Sequence, residues 1–266
     1  ALPHIHGMGY LDNGERLIVA AHDGLRVFVD AEWLIPDLPV NDYMGFSPVD
    51  DGFYSSGHPG PDSALPNPLG LVRSIDDGLT LTALGFDRES DFHLMGVGYR
   101  THAIYVLNPA ANSRLDQGLH YSLNDGETWQ QSRLDGLRAQ PLALAVHPTE
   151  ANVVALGTET GLLLSTDYGN QFALIGAPDP VTAVAFTPAG EQLLFGYRNV
   201  QTYDLASDEV EVLSIPDLGT QDAIAYIVAN TAAPGEIAVA SQERDIYLSH
   251  DGGRSWQAIA RAGKGV

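Results

Sequence analysis

Ser74-Ile-Asp76-Asp-Gly78-Leu-Thr80-Leu81 returns along the chain as Ser122-Leu-Asn124-Asp-Gly126-Glu-Thr128-Trp129, Ser165-Thr-Asp167-Tyr-Gly169-Asn-Gln171-Phe172 and Ser249-His-Asp251-Gly-Gly253-Arg-Ser255-Trp256. The starts lie 48, 43 and 84 residues apart, and 84 is two steps of 42. A fixed period of this size marks a repeat architecture. The missing copy is expected near Ser207, where Tyr203-Asp204-Leu205-Ala206-Ser207-Asp208 ends a strand-like run. Counting back from Ser74 by one step reaches Phe28-Val29-Asp30, followed by Trp33. Six units of about 44 residues result, the length of a four-stranded blade.

The eight-residue pattern has the chemistry of a tight turn between two strands. Ser and Asp side chains hydrogen-bond nearby backbone N–H groups, Gly takes up a backbone conformation closed to residues with a Cβ, and the terminal aromatic packs between sheets. Upstream of each turn lie apolar runs that read as an innermost strand, among them His4 to Tyr10, Asp42 to Ser47, Phe92 to Gly98, Leu142 to His147, Val181 to Phe186 and Ala223 to Val228. Small residues take alternate positions there, as crowding around one axis demands. The fold class expected is all-β: a six-bladed β-propeller of four-stranded antiparallel blades, one domain over 1–266. The blades are expected over approximately 1–38, 39–86, 87–136, 137–176, 177–216 and 217–266.

The turn resembles the Asp-box (BNR) repeat of sialidases and of many non-sialidase propellers, and the resemblance covers nearly the whole chain. In those families the box is a peripheral structural turn, which implies a structural role for Asp76, Asn124, Asp167 and Asp251. Proteins of this kind are often labelled glycosyl hydrolases or sialidase-like and are extracytoplasmic, so a secreted, periplasmic or cell-surface location is what the resemblance implies here.

Composition narrows the chemistry. Thirteen Lys+Arg stand against 34 Asp+Glu, a formal charge of −21, and there is no cysteine. Disulfides, zinc–thiolate sites, iron–sulfur clusters and a Cys nucleophile are excluded. So strong an excess of acidic groups repels phosphate, which argues against nucleic acid as a partner. No apolar run approaches the length of a transmembrane span. Gly7-Met-Gly9 and Gly96-Val-Gly98 lie in strands with no helix to follow, so they are not phosphate-binding loops and no nucleotide cofactor is expected.

In a propeller, loops entering the inner strand share a face with loops joining the second and third strands, and the boxes fall on the other face. The box-free face collects five of the nine histidines: His4, His6, His22, His58 and His93. His4 and His6 are two apart on a presumed strand and project to the same side. Neutral imidazole ligates zinc, copper, nickel and iron, and carboxylates such as Asp42 or Asp222 complete such sites. With no cysteine to compete, the reading is a divalent transition metal, copper or zinc, at the mouth of the central channel, held by His4, His6 and His93 with His22 and His58 in support. Two Pro- and Gly-rich insertions, Ser55 to Asn67 and Asn108 to Asp116, are expected as long loops walling that face.

Two other readings follow from the resemblance. A sialidase-like glycoside hydrolase would use open-face carboxylates, here Asp42 and Asp222 as catalytic residues, with Tyr43, Arg114, Tyr197, Arg198 and Arg244 contacting substrate. Against a true sialidase, no Phe-Arg-Ile-Pro-like segment precedes the first blade. A non-enzymatic scaffold or assembly factor would receive a protein client, although a charge of −21 leaves little for the basic groove of such propellers. The partner expected is thus a metal ion or small molecule at the channel mouth, with a protein client as the alternative, and the sequence leaves binding and catalysis both open.

Overall fold

The computed structural model describes residues 1–266, and the chain forms two compact units, Pro3–Arg133 and Leu134–Val266 with Ala1–Leu2. In the first unit, strands Ile5–Leu11 (β1), Arg16–Ala21 (β2), Gly24–Val29 (β3) and Glu32–Leu34 (β4) make one antiparallel sheet. Asn41–Val49 (β5), Gly52–Pro59 (β6), Leu71–Ser74 (β7) and Thr82–Gly85 (β8) make the next. Met95–Val97 (β9), Ile104–Asn108 (β10), Gly118–Ser122 (β11) and Gln130–Gln131 (β12) make the third.

The second unit repeats the plan. Its sheets are Pro141–Val146 (β13), Val154–Thr158 (β14), Gly161–Ser165 (β15) and Ala173–Ile175 (β16), then Ala183–Phe186 (β17), Gln192–Gly196 (β18), Val200–Asp204 (β19) and Val210–Leu213 (β20). Ile224–Ala229 (β21), Ile237–Ser241 (β22), Ile246–Ser249 (β23), Gln257–Arg261 (β24) and the short Lys264–Gly265 (β25) complete it. These six sheets are the blades of a six-bladed β-propeller, as the repeat period predicts.

Apolar side chains from both faces of the middle strands pack between neighbouring sheets of each unit. One core joins Ile18 and Val27 to Tyr43, Phe46 and Phe53, and the next joins Tyr54 and Leu71 to Phe92, Ile104 and Val106. Phe195 with Val181, and Tyr247 with Leu194, play the same part in the second unit. Burial of this kind is the main favourable term holding one blade to the next.

The four repeated turns share one hydrogen-bond set. Each serine hydroxyl accepts the N–H of the glycine four residues on, at 2.8 Å from Gly78 and Gly253 and 2.9 Å from Gly126 and Gly169. It donates to the Asp or Asn side chain two residues on, at 2.8 to 3.1 Å. That side chain accepts the backbone N–H of Thr80, Thr128, Gln171 or Ser255. The glycines sit at φ of +93°, +78°, +77° and +83°, where any side chain is strained.

The two degenerate positions are built differently. The first blade turns at Asp30-Ala31, both at positive φ, in a two-residue hairpin. The fifth turns on Asp204, whose Oδ1 accepts the Ala206 and Ser207 N–H groups. Two expectations are also corrected. Ser55 to Pro59 is strand, because β6 pairs with β5 as far as Asn41 opposite Pro59, so the loop begins at Gly60 and His58 stands on β6. Phe92 and His93 precede β9, which is only Met95–Val97.

Asp251 has its pKa pulled from the ordinary 3.8 to about 2, first by the Ser255 hydroxyl and then by the Ser255 N–H. A carboxylate with a depressed folded-state pKa contributes stability above its unfolded value that is lost as pH falls through the folded one. The urea midpoint of wild type should therefore exceed that of Asp251→Asn at pH 6, with the gap closing between about pH 4 and pH 2.

Candidate functional site

Five histidines and two aspartates converge in the first unit, drawn from all three of its blades. Their placement starts with two irregularities. Ile5 pairs with Ala21 and Gly7 with Ala20, so His6 is the extra residue of a β-bulge in β1. A bulge bends the strand and re-aims a side chain. His4 lies just before that strand, its carbonyl accepting the His22 N–H at 2.9 Å from the turn between β2 and β3. The three imidazoles thus gather, with ring centroids 4.7 Å apart for His4 and His6 and 5.8 Å for His6 and His22.

Asp42 on β5 faces them. Its Oδ2 is 2.8 Å from His22 Nδ1, and its Oδ1 is 3.4 Å from His6 Nε2. Asp42 is 8% exposed, and both its Oδ1 and the His6 Nε2 are buried without any hydrogen bond. Burying two such atoms without a hydrogen bond costs free energy that a cation between them would recover. Two ligand atoms each about 2.1 Å from a tetrahedral ion stand about 3.4 Å apart, the separation found here. Burial lowers the His6 pKa; Asp42 opposes the shift, and the charges of His4, His22 and His93 add to it. The shift favours the neutral ring, the form in which imidazole can ligate a metal.

The remaining two histidines take a different carboxylate. Asp91 Oδ2 is 2.6 Å from His93 Nε2 and 3.1 Å from His58 Nε2, while Asp91 Oδ1 is buried and unpaired. The loop is pinned through its centre. Phe92 is fully buried against Phe86, and its N–H donates to Ser56 Oγ at 2.9 Å, while Ser56 donates onward to the Gly70 carbonyl at 2.7 Å. Asp91 and His93 flank that anchor. Gly57, at φ +117°, makes room beside it: a Cβ there would stand 2.0 Å from the Asp42 carbonyl oxygen. The metal ligands expected from sequence are thus all brought together, but divided between Asp42 and Asp91. Asp91 lies outside the ligand set expected from the sequence.

The residues expected to contact substrate are placed as follows. Tyr43 lies in the apolar core with its hydroxyl accepting from Asn41 Nδ2 at 3.1 Å. Arg114 donates to the Gly126 and Glu127 carbonyls and stacks on Phe86. In the second unit Asp222 is buried, its Oδ1 accepting the Ala223 and Glu243 N–H groups at 2.8 and 3.0 Å. Arg198 donates to the carbonyls of Leu218, Gly219 and Thr220, and Arg244 reaches the Leu2 carbonyl. Tyr197 is exposed.

A second His/Asp grouping, His102 with Asp50 and Asp51, already has its cation, since Arg73 lies 2.6 Å from Asp51 and over the Tyr54 ring. His147 is structural: its Nδ1 accepts the Glu150 N–H at 3.0 Å and its Nε2 lies 3.0 Å from the Gly190 carbonyl.

No family model matches the chain, and no curated protein does. Among solved structures it is similar to a GH74 enzyme from Niastella koreensis, at 15% identity and a TM-score of 0.62, over 97% of this chain and 46% of that one. It is similar to an ancestral GH74 enzyme at 14% identity and 0.58, covering 97% and 39%. YCF48 bound to D1 peptide matches at 14% identity and 0.55, covering 96% and 81%. The chain spans less than half the length of the GH74 enzymes, and at these identities the likeness is one of fold.

Removing the Ser56 hydroxyl leaves the buried Phe92 N–H unpaired. Ser56→Ala should lower unfolding free energy by about 1–3 kcal/mol, read from urea denaturation, and should shift the His58 and His93 ring resonances while leaving those of His4 and His22 in place.

Proposed function

We propose that this propeller binds a divalent transition metal, copper or zinc, through His6, His22 and Asp42 with His4 as a fourth ligand. The reading is carried by the buried, unpaired pair His6 Nε2 and Asp42 Oδ1, 3.4 Å apart, with two further imidazoles at its edge. Imidazole nitrogen and one carboxylate oxygen suit borderline ions such as zinc, copper, nickel and iron over calcium or magnesium, which take all-oxygen sites. His4 and His22 are exposed, and His22 is already held at Asp42, so both rings can complete the shell of an ion that His6 and Asp42 hold from below.

The same reading takes the repeated turns as Asp boxes and the chain as an extracytoplasmic protein of that kind, supported by the pattern of Ser, Asp or Asn, and Gly that recurs four times. No helix is long and apolar enough to cross a membrane. Whether the bound ion serves storage, transfer or chemistry on a further ligand depends on open coordination positions, and three or four protein ligands leave at least one on a five- or six-coordinate ion.

Isothermal titration of metal-stripped protein with zinc chloride and with copper sulfate tests the site. Saturable heat is expected, with affinity reduced about 100-fold or more by His6→Ala or Asp42→Asn, and falling below about pH 6.5 as protons compete for imidazole. Absence of heat with both metals would overturn the reading.

A further inference from the structure

The Asp42 group uses only three of the five converging histidines. What remains, His58, Asp91 and His93, has the same composition as the core of the first group: two imidazoles on one carboxylate. We infer that His58, Asp91 and His93 hold a second cation beside the first, so that the site is dinuclear. The inference rests on the reading of the first group as a metal site.

Three observations carry it. The first is proximity. Asp42 and His58 are directly opposite in the β5–β6 ladder, so their side chains leave the same face of the sheet. Directly opposed residues have Cβ atoms about 4.5–5.5 Å apart, while paired metal ions in proteins stand about 3.5–4 Å apart.

The second is incomplete pairing. His93 and His58 both address Asp91 Oδ2, while Asp91 Oδ1 is buried with no hydrogen bond. Of the two contacts, only His93 to Asp91 has hydrogen-bond geometry; His58 Nε2 sits at 3.1 Å without it, and its Nδ1 is set 2.8 Å from Asn67 Oδ1. An imidazole whose Nδ1 is fixed by an amide oxygen presents an unprotonated Nε2, the arrangement that orients a metal-bound histidine.

The third is charge. Seven side chains meet here, five imidazoles neutral when ligating and two carboxylates, with no arginine or lysine among their ion pairs. Several other aspartates of this unit do pair with arginine, as Asp23 does with Arg26 and Asp51 with Arg73. Two carboxylates, each with its own pair of imidazoles and no protein cation, accommodate two divalent ions more readily than one.

The test is zinc stoichiometry on the full chain, by elemental analysis after gel filtration and by titration with zinc chloride. Wild type should hold two equivalents, and Asp91→Asn and His93→Ala one each. His93 is 67% exposed, so its removal leaves the fold intact and keeps the experiment decisive should Asp91→Asn fail to fold. One equivalent in wild type, unchanged in both variants, would overturn the second site and leave the first standing. A single equivalent abolished by either Asp42→Asn or Asp91→Asn would be one ion shared by both carboxylates, which also overturns the pair. Two equivalents unaffected by Asp91→Asn and His93→Ala would put the second ion elsewhere. No zinc and no copper in wild type would remove the metal reading altogether.

Discussion

The close approach of β1 to β5 governs what the first unit can do. A Cβ on Gly7 would stand 2.6 Å from the Phe46 Cβ, and one on Gly9 would stand 2.2 Å from the Pro48 side chain. Real Cβ atoms do not come that near, so these two positions must lack side chains for the strands to pack. The same approach carries His6, one residue before Gly7, against Asp42. Any residue larger than glycine at position 7 would push β1 outward and open the pair on which the metal reading rests. A stripe that looks like a phosphate loop in one dimension is, in the fold, the spacing device of two inner strands.

That constraint separates what could be read from the sequence from what could not. The turns were legible because their hydrogen bonds are local: Ser74 to Gly78 spans four residues, and the pattern shows in any one copy. The companionship of His4 and His6 was legible for the same reason. The division of the histidines was not. His22 meets Asp42 and His58 meets Asp91 only through strand pairing and loop anchoring across tens of residues, and no spacing encodes that. Alternation alone missed the bulge at His6, because an extra residue leaves no mark in a run as apolar as β1. Pro and Gly around position 58 read as strand breakers and suggest a loop, whereas Gly57 lets β6 come within reach of the Asp42 carbonyl.

The arrangement grades from rigid to mobile. Asp42 and His6 are held by strands whose undersides form the core, with Tyr43 and Phe46 packed immediately beneath. Asp91 is fixed by its neighbour Phe92, a buried ring that converts a short loop into a firm mount. The outer imidazoles are different: His22 and His93 are 68% and 67% exposed, each tied by a single carboxylate contact. Metal sites need a preorganised floor, but they also need ligands that can adjust by fractions of an ångström as the ion sheds water.

Electrostatics supply the remaining step. A net charge of −21 draws cations toward the whole surface, with a reach limited by salt to about 8 Å under physiological conditions. Such a field does not select among cations; the donor atoms do. Most acidic side chains here face solvent or arginine, so they offer hydrated oxygen, and an ion such as magnesium keeps its water there. Around Asp42 and Asp91, carboxylates that meet imidazoles also keep a buried oxygen without a hydrogen bond. The charge of the chain therefore attracts cations of every kind, and on the proposed reading the five histidines select which of them stays.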